Sequence, residues 1–409
     1  MGREGFGKLF SLKEALNLLF EGRELFPTEK ITVEKALGRI LREDIFAKID
    51  VPSFAKSAMD GFAVIAEDTF VATQSNPVHL SCVGEVVPGN IFSGTIQKGH
   101  CVEIATGAPI PMGVDAVIMV EHVERVGNQV IVYKATAPSE NVIQPGSDLK
   151  SGSIVLYQGR KLTPEHMGVI RALGLEQVLA AKKPKIAIAS TGNELIRPPA
   201  MLREGQIYDI NFFTLQAAFE NIGCEVVDFG IISDSPETLT KMIQEMNEKS
   251  DMVILSGGSS LGTSDYLVQA IESLGKVLVH GIAVKPGKPT IIGRIGTKWI
   301  FGLPGHPTSA LSNFYIFLKP FIQSWMGYTK YFPALIEAKL TRKIASTIGR
   351  YEFLAVRLEK TGDGYTAEPT MKGSSAISSM AFSDGYIEIE ENVEVVEKGT
   401  NVTVTLFSA

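Results

Sequence analysis

The stretch from Asp251 to Tyr266 combines residue types that can bind an anion beside a metal ion. Val253, Ile254 and Leu255 form an apolar run, which predicts a strand buried on both faces. Three glycines follow, and a glycine-rich loop that leads into a helix N-terminus exposes N–H groups to an anion. Asp265 would repel that anion. We therefore expect either a bridging cation such as Mg2+ or a carboxylate that only favours the start of the helix.

Four more polar loops follow apolar segments that we predict to be strands of the same sheet. They contain Glu194, Asp234, the pair Lys285 and Lys288, and His306. Ligands bind at the carboxyl ends of the strands in such sheets, so we expect these loops to converge. Carboxylates suit Mg2+ and lysines suit phosphate, which predicts a site where a hard metal ion assists a phosphorylated anion. Taken singly, these residues could also be helix-terminal acids, solvated lysines and a structural histidine.

The loops belong to a segment, residues 184–331, in which strands and helices alternate. Apolar runs predict strands over 185–190, 225–232, 253–255, 277–280, 290–295 and 299–301. Periodicity predicts helices over 211–222, 236–248 and 266–273, and a long one from 307 to near 327. This alternation is typical of a three-layer α/β domain with a mainly parallel sheet.

The rest of the chain predicts three further pieces. Residues 52–144 contain short strand-like runs broken by glycine and proline, which indicates a small inserted β domain. Amphipathic patterns over 11–20, 32–41 and 162–173 predict helices of a discontinuous helical N-terminal domain, residues 1–51 and 145–183. Strict alternation over 386–390 and 402–406 predicts a small C-terminal β-barrel domain, residues 332–409.

Composition narrows the class of protein. A chain of 409 residues is long enough for several domains, and its net charge of −6 argues against general nucleic-acid binding. The sequence has no apolar stretch long enough to span a membrane, and its first residues lack the apolar core of a signal peptide. The three cysteines have no CxxC spacing. We therefore expect a cytoplasmic protein without membrane contact, zinc site or disulfide framework.

Six ordered motifs together resemble those of the molybdopterin molybdenumtransferases, the MoeA family, to which the gephyrin E domain also belongs. The resemblance covers nearly the whole chain. The motifs are Ser57-Ala-Met-Asp-Gly, Thr106-Gly-Ala-Pro-Ile-Pro, Ser190-Thr-Gly-Asn-Glu-Leu, Ser256-Gly-Gly-Ser-Ser-Leu-Gly-Thr-Ser-Asp-Tyr, Lys285-Pro-Gly-Lys-Pro and Gly302-Leu-Pro-Gly-His-Pro.

The resemblance implies an enzyme of molybdenum cofactor biosynthesis. Such an enzyme takes adenylylated molybdopterin and molybdate or tungstate, places the metal on the dithiolene and releases AMP with Mg2+. It also implies an elongated homodimer with a shared active site, in which the α/β domain of one chain faces the inserted β domain of the other. The molybdopterin adenylyltransferase, which makes the substrate, is a further expected partner.

The resemblance also assigns site residues. It implies catalytic roles for Asp60, Thr106, Glu194, Asp234, Asp265 and Lys285, of which Glu194, Asp234 and Asp265 would hold the metal. It implies substrate binding by Pro304, Pro307, Arg350 and Ser374. To these we add, from their places in the anion loops, Ser256, Gly257, Gly258, Ser259 and Lys288.

The chain departs from the family pattern at several positions. The usual Asp-Asn or Asp-Arg before Ser-Ala-Met-Asp-Gly is Ala55-Lys56 here, and the Tyr after it is Phe62. The common Gly-Asp-Glu-Leu carries Asn193, and some members have Trp-Lys where this chain has His280-Gly281. The usual Asn of Gly-Asn-Pro is His306. The acidic set is intact, so the departures concern oxyanion binding.

Two other classes of protein share these features. One is a scaffold that keeps the fold without catalysis, and retention of the acidic residues argues against it. The other is an enzyme with the same α/β domain, either a molybdopterin adenylyltransferase or a nucleotide hydrolase similar to CinA proteins. The inserted domain with Ser-Ala-Met-Asp-Gly favours metal insertion over these two enzyme activities, because those enzymes lack it. Molybdate and tungstate are both tetrahedral dianions, and the sequence does not distinguish them.

Overall fold

The computed structural model describes residues 9–22, 24–233, 235–257, 263–329 and 333–407, without the side chains of residues 263 and 264. The predicted site residues Asp234, Gly258 and Ser259 lie outside the described residues. Among the described residues, no helix has the length and apolar character needed to cross a membrane.

The first 183 residues combine short strands with two short helices. The helices and strands are α1 (Leu12–Phe20), β1 (Thr28–Thr32), β2 (Ile45–Phe46), β3 (Lys56–Ser57), β4 (Gly61–Val64), β5 (Val78–Val86), β6 (His100–Ile104), β7 (Ala116–Met119), β8 (Val123–Val126), β9 (Gln129–Val132), β10 (Val142–Ile143), β11 (Ile154–Leu156), α2 (Pro164–Ala172) and β12 (Gln177–Ala181).

The predicted helix over 32–41 is wrong. Thr32 ends β1, which pairs antiparallel with β12, and only a 3-10 turn, Val33–Lys35, follows. Val33, Ala36 and Ile40 are buried as the pattern predicted, but Leu37 is 58% exposed. Gly38 has φ +74°, which ends helical geometry. The apolar residues of this irregular segment therefore have the spacing of a helix without forming one. The helix over 11–20 is confirmed, and Ser11 and Glu14 form its capping box.

A six-stranded sheet fills the inserted β region, with the strand order β7-β4-β6-β5-β9-β8. Both of its faces are packed: Phe62 and Val64 of β4 enter one apolar cluster, and Ala63 enters another. Cys101 of β6 is fully buried, and this burial raises the pKa of its thiol to about 12. This cysteine therefore acts as a small apolar side chain.

The α/β region follows from residue 184 with strands and helices in alternation. Its elements are β13 (Lys185–Thr191), β14 (Leu195–Ile196), β15 (Ile207–Tyr208), α3 (Asn211–Asn221), β16 (Glu225–Ile232), α4 (Pro236–Lys249), β17 (Met252–Gly257), α5 (Thr263–Leu274), β18 (Lys276–His280), β19 (Val284–Lys285), β20 (Ile291–Ile295), β21 (Lys298–Leu303), α6 (Pro307–Asn313) and α7 (Lys319–Trp325). A π-helical turn, Phe314–Leu318, joins α6 to α7.

The main sheet of this region has the order β16-β13-β17-β21-β20-β18. The first four of these strands are parallel, and β20 is antiparallel to both of its neighbours. Successive residues of β13 enter opposite clusters: Ile186 and Ile188 pack on one face, and Ala187 and Ala189 on the other. The central strands are thus buried on both faces, which confirms the predicted three-layer α/β arrangement.

The order of the strands creates a switch point between β13 and β17. After β13 the chain continues through α3 to β16 on one side, and it then crosses through α4 to β17 on the other. Helix α3 packs with α6, whereas α4 packs with α5. Helix α3, which follows β13, and helix α5, which follows β17, therefore pack with different helices, and the carboxyl ends of β13 and β17 form the kind of crevice in which α/β sheets bind ligands.

A closed five-stranded barrel forms the C-terminal region, in the order β24-β25-β22-β28-β26 with β26 pairing back to β24. The prediction of a small C-terminal barrel is confirmed. Strand β19 of the α/β region adds to it in parallel with β24. The elements are β22 (Leu335–Leu340), β23 (Ile344–Ala345), β24 (Tyr351–Thr361), β25 (Gly364–Pro369), α8 (Ser378–Ala381), β26 (Gly385–Ile389), β27 (Val395–Val396) and β28 (Asn401–Leu406).

Candidate active site

A cavity of about 690 Å³ opens at the switch point of the α/β sheet. Its wall includes the ends of β13 and β17, the start of α3 and the turn before α6. Leu195, Ile207 and Ile210 give it an apolar side, and Glu194 carries a carboxylate at its edge. We call it the first cavity. Its size and mixed lining suit a small organic ligand.

Glycine is required where the two central strands end. Gly257 has φ +129°, and a side chain there would overlap the carbonyl of Thr191 on the neighbouring strand. Gly192 has φ +149°, and a Cβ at that position would lie 2.7 Å from Glu194 Oε2. The glycines thus let the two strand ends approach each other and leave room for the Glu194 carboxylate.

A buried carboxylate organises the floor of the first cavity. Asp209 is only 2% exposed and accepts hydrogen bonds from the Ser190 hydroxyl at 2.8 Å and from Arg197 Nε at 3.0 Å. Arg197 also pairs with Asp228 at 2.6 Å and lies 4.1 Å above the Phe212 ring. Because its charge is paired and hydrogen-bonded, Asp209 stabilises this wall and is not available to a ligand.

Asn211, the first residue of α3, connects two loops of the first cavity. Its Nδ2 donates to Ser256 Oγ and to the carbonyl of Gly305, both at 2.8 Å. The ends of β17 and β21 are therefore held together beside α3. Asp209 and Asn211 were not among the site residues predicted from the sequence, although Asp209 is a polar residue just before an amphipathic helix, which is a capping signal.

A second cavity, of about 540 Å³, lies between the α/β region and the C-terminal barrel. Its lining is rich in cations, and among its described lining residues Glu352 is the one acidic side chain. Arg342 and Lys343 pair with the outer residues Glu368 and Glu397. The guanidinium of Arg350 has no ion pair with any described residue. The five cations are Lys285, Lys288, Arg342, Lys343 and Arg350.

The pairing of β19 with β24 fixes Lys285 in this second cavity. Lys285 lies directly opposite Glu352 in the parallel register, and its Nζ lies 3.1 Å from Glu352 Oε1. Glu352 is only 6% exposed, and it also accepts a hydrogen bond from Ser346 Oγ at 2.8 Å. The buried carboxylate therefore orients the lysine, whose side chain stays 39% exposed toward the cavity.

His306 joins the two cavities because it contributes to the lining of both. Its Nδ1 lies 2.9 Å from Ser374 Oγ of the C-terminal region. The backbone N–H and the hydroxyl of Thr308 both donate to the Ser374 carbonyl, so this contact is clamped to the start of α6. A ligand that extends from one cavity to the other would pass His306.

Asp60 and Thr106, predicted together from separate motifs, are in contact in the inserted β region. The backbone N–H and the hydroxyl of Thr106 donate to Asp60 Oδ1 at 2.7 and 2.9 Å. These two hydrogen bonds, the backbone one first, hold the pKa of the exposed Asp60 carboxyl below its usual value. Asp60 lines a separate cavity of about 330 Å³, which has none of its described lining residues in common with the first two.

The predicted metal ligands are described only in part. Glu194 lies at the edge of the first cavity, and Asp265 is exposed in the first turn of α5, after β17. Asp234 lies outside the described residues, and the described residues alone contain no group of three His, Cys, Asp or Glu that could hold a metal ion. The all-oxygen donors fit Mg2+ in chemical type.

The other predicted binding residues divide between the two cavities. Ser256, Gly257 and Pro307 line the first, and Lys285, Lys288, Arg350 and Ser374 line the second. Pro304 is buried and is not part of either lining. Glu352, Arg342 and Lys343 were not predicted as site residues, because a cavity between two regions has no local pattern in the sequence.

Comparison with known proteins matches the chain in three consecutive segments. Residues 10–174 match the "MoeA N-terminal region (domain I and II)", 187–324 a "Probable molybdopterin binding domain" and 337–407 the "MoeA C-terminal region (domain IV)". A molybdopterin molybdenumtransferase from Haemophilus influenzae is 35% identical over 94% of this chain and 95% of its own length. The chain belongs to the MoeA family.

Other MoeA relatives match at similar coverage. A molybdopterin molybdenumtransferase from Staphylococcus aureus is 29% identical over 97% of this chain and 95% of its own length. The crystal structure of a MoeA protein of molybdopterin biosynthesis from Pyrococcus horikoshii has 40% sequence identity and a TM-score of 0.86, and covers 98% of this chain and 100% of its own. The resemblance drawn from the six motifs is confirmed.

The Lys285–Glu352 pair of this MoeA protein predicts a double effect of one substitution. We expect Lys285→Ala to weaken tungstate binding about 10- to 150-fold, because a charge-assisted contact contributes about 1.5 to 3 kcal/mol. The same change leaves the buried Glu352 carboxylate without its cation and lowers the free energy of unfolding by about 1 to 3 kcal/mol. Calorimetric titration and thermal unfolding measure the two effects.

The double variant Lys285→Ala, Glu352→Gln separates these effects. Removal of both charges should recover most of the lost stability and none of the lost affinity. Unchanged tungstate affinity in the single variant would make Lys285 an ordinary surface lysine.

Proposed function

We propose that this protein inserts molybdate or tungstate into adenylylated molybdopterin, with release of AMP. Its MoeA membership makes it an enzyme of molybdenum cofactor biosynthesis, and its curated relatives are named molybdopterin molybdenumtransferase. The observation that carries the finer proposal is the pair of cavities joined at His306: a partly apolar one at the sheet edge and a cationic one against the barrel.

The two cavities differ in charge, and each therefore suits a different substrate group. Adenylylated molybdopterin carries a pyrophosphate and molybdate is a dianion, so Coulomb repulsion opposes their approach. Among the described residues, no lysine or arginine lines the first cavity, whereas five line the second. A heterocyclic ring therefore suits the first cavity, and the tetrahedral anion suits the second. His306 and Ser374 stand where the two substrates would meet.

Residues of the second cavity would bind the oxyanion through their charges and hydrogen bonds, without forming a covalent bond to it. Lys285 is pre-oriented by Glu352, so little side-chain freedom is lost when it binds an anion. Arg350 offers a planar set of donors that matches two oxygens at once. Preorganised donors of this kind stabilise charge where it develops, and the transfer does not need a protein nucleophile.

Mg2+ is part of the proposal. Glu194 and Asp265, with Asp234, would hold it at the edge of the first cavity, and it would offset the charge of the phosphoanhydride. The location of Glu194 on that cavity and the oxygen donors around it support this assignment.

A homodimer completes the proposed site. In a single chain, Asp60 and Thr106 line neither of the two main cavities. Their hydrogen bonds nevertheless fix the position of the exposed Asp60 carboxylate and lower its pKa, as suits a charged group that acts on another surface. We therefore assign the Asp60–Thr106 pair of one chain to the cavities of its partner. The molybdopterin adenylyltransferase is the proposed supplier of the substrate, and the cytoplasm the proposed location.

The function and its metal are tested by AMP release from adenylylated molybdopterin. Wild-type protein should release AMP with molybdate and Mg2+, and EDTA should stop the release. Asp265→Asn should lower the rate about 10- to 100-fold, because it neutralises one proposed ligand. Asp363→Asn, on the exposed hairpin between β24 and β25, is the matched control.

Two outcomes would overturn this assignment. Full AMP release in EDTA would remove the metal from the proposal. Formation of adenylylated molybdopterin from ATP and molybdopterin would make the protein an adenylyltransferase and not a molybdenumtransferase.

Complementation tests the shared site. We expect Asp60→Ala and Asp265→Ala to be inactive alone and to recover activity when the two variants are coexpressed. In a mixed dimer, one shared site carries both lesions and the other carries none. A heterodimer purified through two tags should therefore release AMP at about half the wild-type rate. If the heterodimer is inactive although both single variants form dimers, each active site lies within one chain.

A further inference from the structure

His306 is an exposed imidazole with one engaged nitrogen at the boundary of the two cavities. Its Nδ1 lies 2.9 Å from Ser374 Oγ, which fixes the ring against the C-terminal region. The other nitrogen, Nε2, makes no hydrogen bond with any described residue. A ring fixed through one nitrogen presents the other to whatever occupies the cavities.

We infer that His306 Nε2–H donates a hydrogen bond to the tetrahedral oxyanion in the second cavity, and that the oxyanion binds together with a proton on this ring. The inference rests on the proposed function for the class of anion. Both a metal oxyanion and the phosphate of AMP have the required shape, charge and acceptor oxygens. An imidazolium donates more strongly to an oxyanion than a neutral imidazole does.

Charged side chains surround His306 in both cavities. In the second cavity it shares the lining with Lys285, Lys288, Arg342, Lys343, Arg350 and the buried Glu352. In the first cavity it shares the lining with Glu194, Tyr208 and Asp209, the last of which is already paired with Arg197. Lysine, arginine and carboxylate side chains ordinarily keep their charge between about pH 6 and 8, whereas histidine gains or loses its charge there.

Because residue 306 is His in this chain, we expect its oxyanion affinity to depend on pH differently from that of MoeA proteins with Asn at this position. The family pattern that this chain resembles has Asn here, and an amide can donate one N–H but cannot gain a proton. Asn and His would thus share the hydrogen bond to the anion. Only His would link oxyanion affinity to pH, and His306→Asn should remove that link while it keeps the hydrogen bond.

Calorimetric titration with sodium tungstate and, separately, with AMP tests the inference. From pH 8 to pH 6, the dissociation constant of tungstate for the wild type should fall by about 5- to 10-fold, the difference between a neutral and a charge-assisted hydrogen bond. Near pH 7, binding should take up protons, seen as a heat that depends on the buffer. His306→Asn should keep the pH 8 affinity and lose both effects.

Two controls make the result specific. His79→Asn, an exposed histidine on β5 that lines neither cavity, should keep the full pH dependence. His306→Ala, which removes the donor, should weaken binding at both pH values, about 5-fold or more at pH 8. If the pH effect appears with AMP and not with tungstate, and His306→Asn removes it, the anion at His306 is the nucleotide phosphate and the hydrogen bond stands. A pH effect with AMP that His306→Asn retains belongs to the phosphate group itself, whose second pKa is about 6, and contradicts the inference.

The inference is overturned if the wild type binds neither anion, or if His306→Asn retains the pH dependence. A proton uptake of zero in the wild type would overturn it without any substitution. AMP release by the wild type is measured in parallel. If the wild type releases AMP and His306→Asn binds the anion as the wild type does at both pH values, only this inference is wrong. If the wild type does not release AMP, the proposed function is wrong.

Discussion

The parallel pairing of β19 with β24 is the contact on which the proposed site depends. Two residues of the α/β region, Val284 and Lys285, join the barrel opposite Tyr351 and Glu352. This short ladder closes the second cavity, buries the Glu352 carboxylate and directs Lys285 into the cationic lining. Without it the α/β region would keep its cavity at the sheet edge, but the cations contributed by the C-terminal region would have no fixed place beside it.

Charge explains why two cavities would serve the proposed reaction better than one. A single cationic pocket would neutralise both anions but would give little reason for a heterocyclic ring to bind beside them. In the structure, the switch point of the sheet supplies a partly apolar cavity and the C-terminal region supplies most of the cations. His306 and Ser374 join the two, so reacting groups held in separate cavities can still meet.

A feature of the fold was easier to predict when the residues that determine it lie close together in the sequence. Strands β13 and β17 were predicted correctly because a continuous apolar run is a local signal. The helix over 32–41 was wrong because tertiary packing, and not helical periodicity, buries Val33, Ala36 and Ile40. In the site, Lys285 was found through its motif, but its partner Glu352 lies 67 residues away and is brought to it only by the pairing of β19 with β24. Sequence patterns do not reveal such a pairing.

The most direct test of this account is the location of the oxyanion itself. Crystals grown with AMP and soaked in tungstate give an anomalous signal that identifies the tungsten atom without assumptions about the protein. We expect the peak in the second cavity, beside Lys285 and Arg350 and within hydrogen-bonding reach of His306, with the adenine ring of AMP in the first cavity. A tungsten peak in the first cavity, with the second cavity empty, would contradict the division of charge on which the proposed function is built.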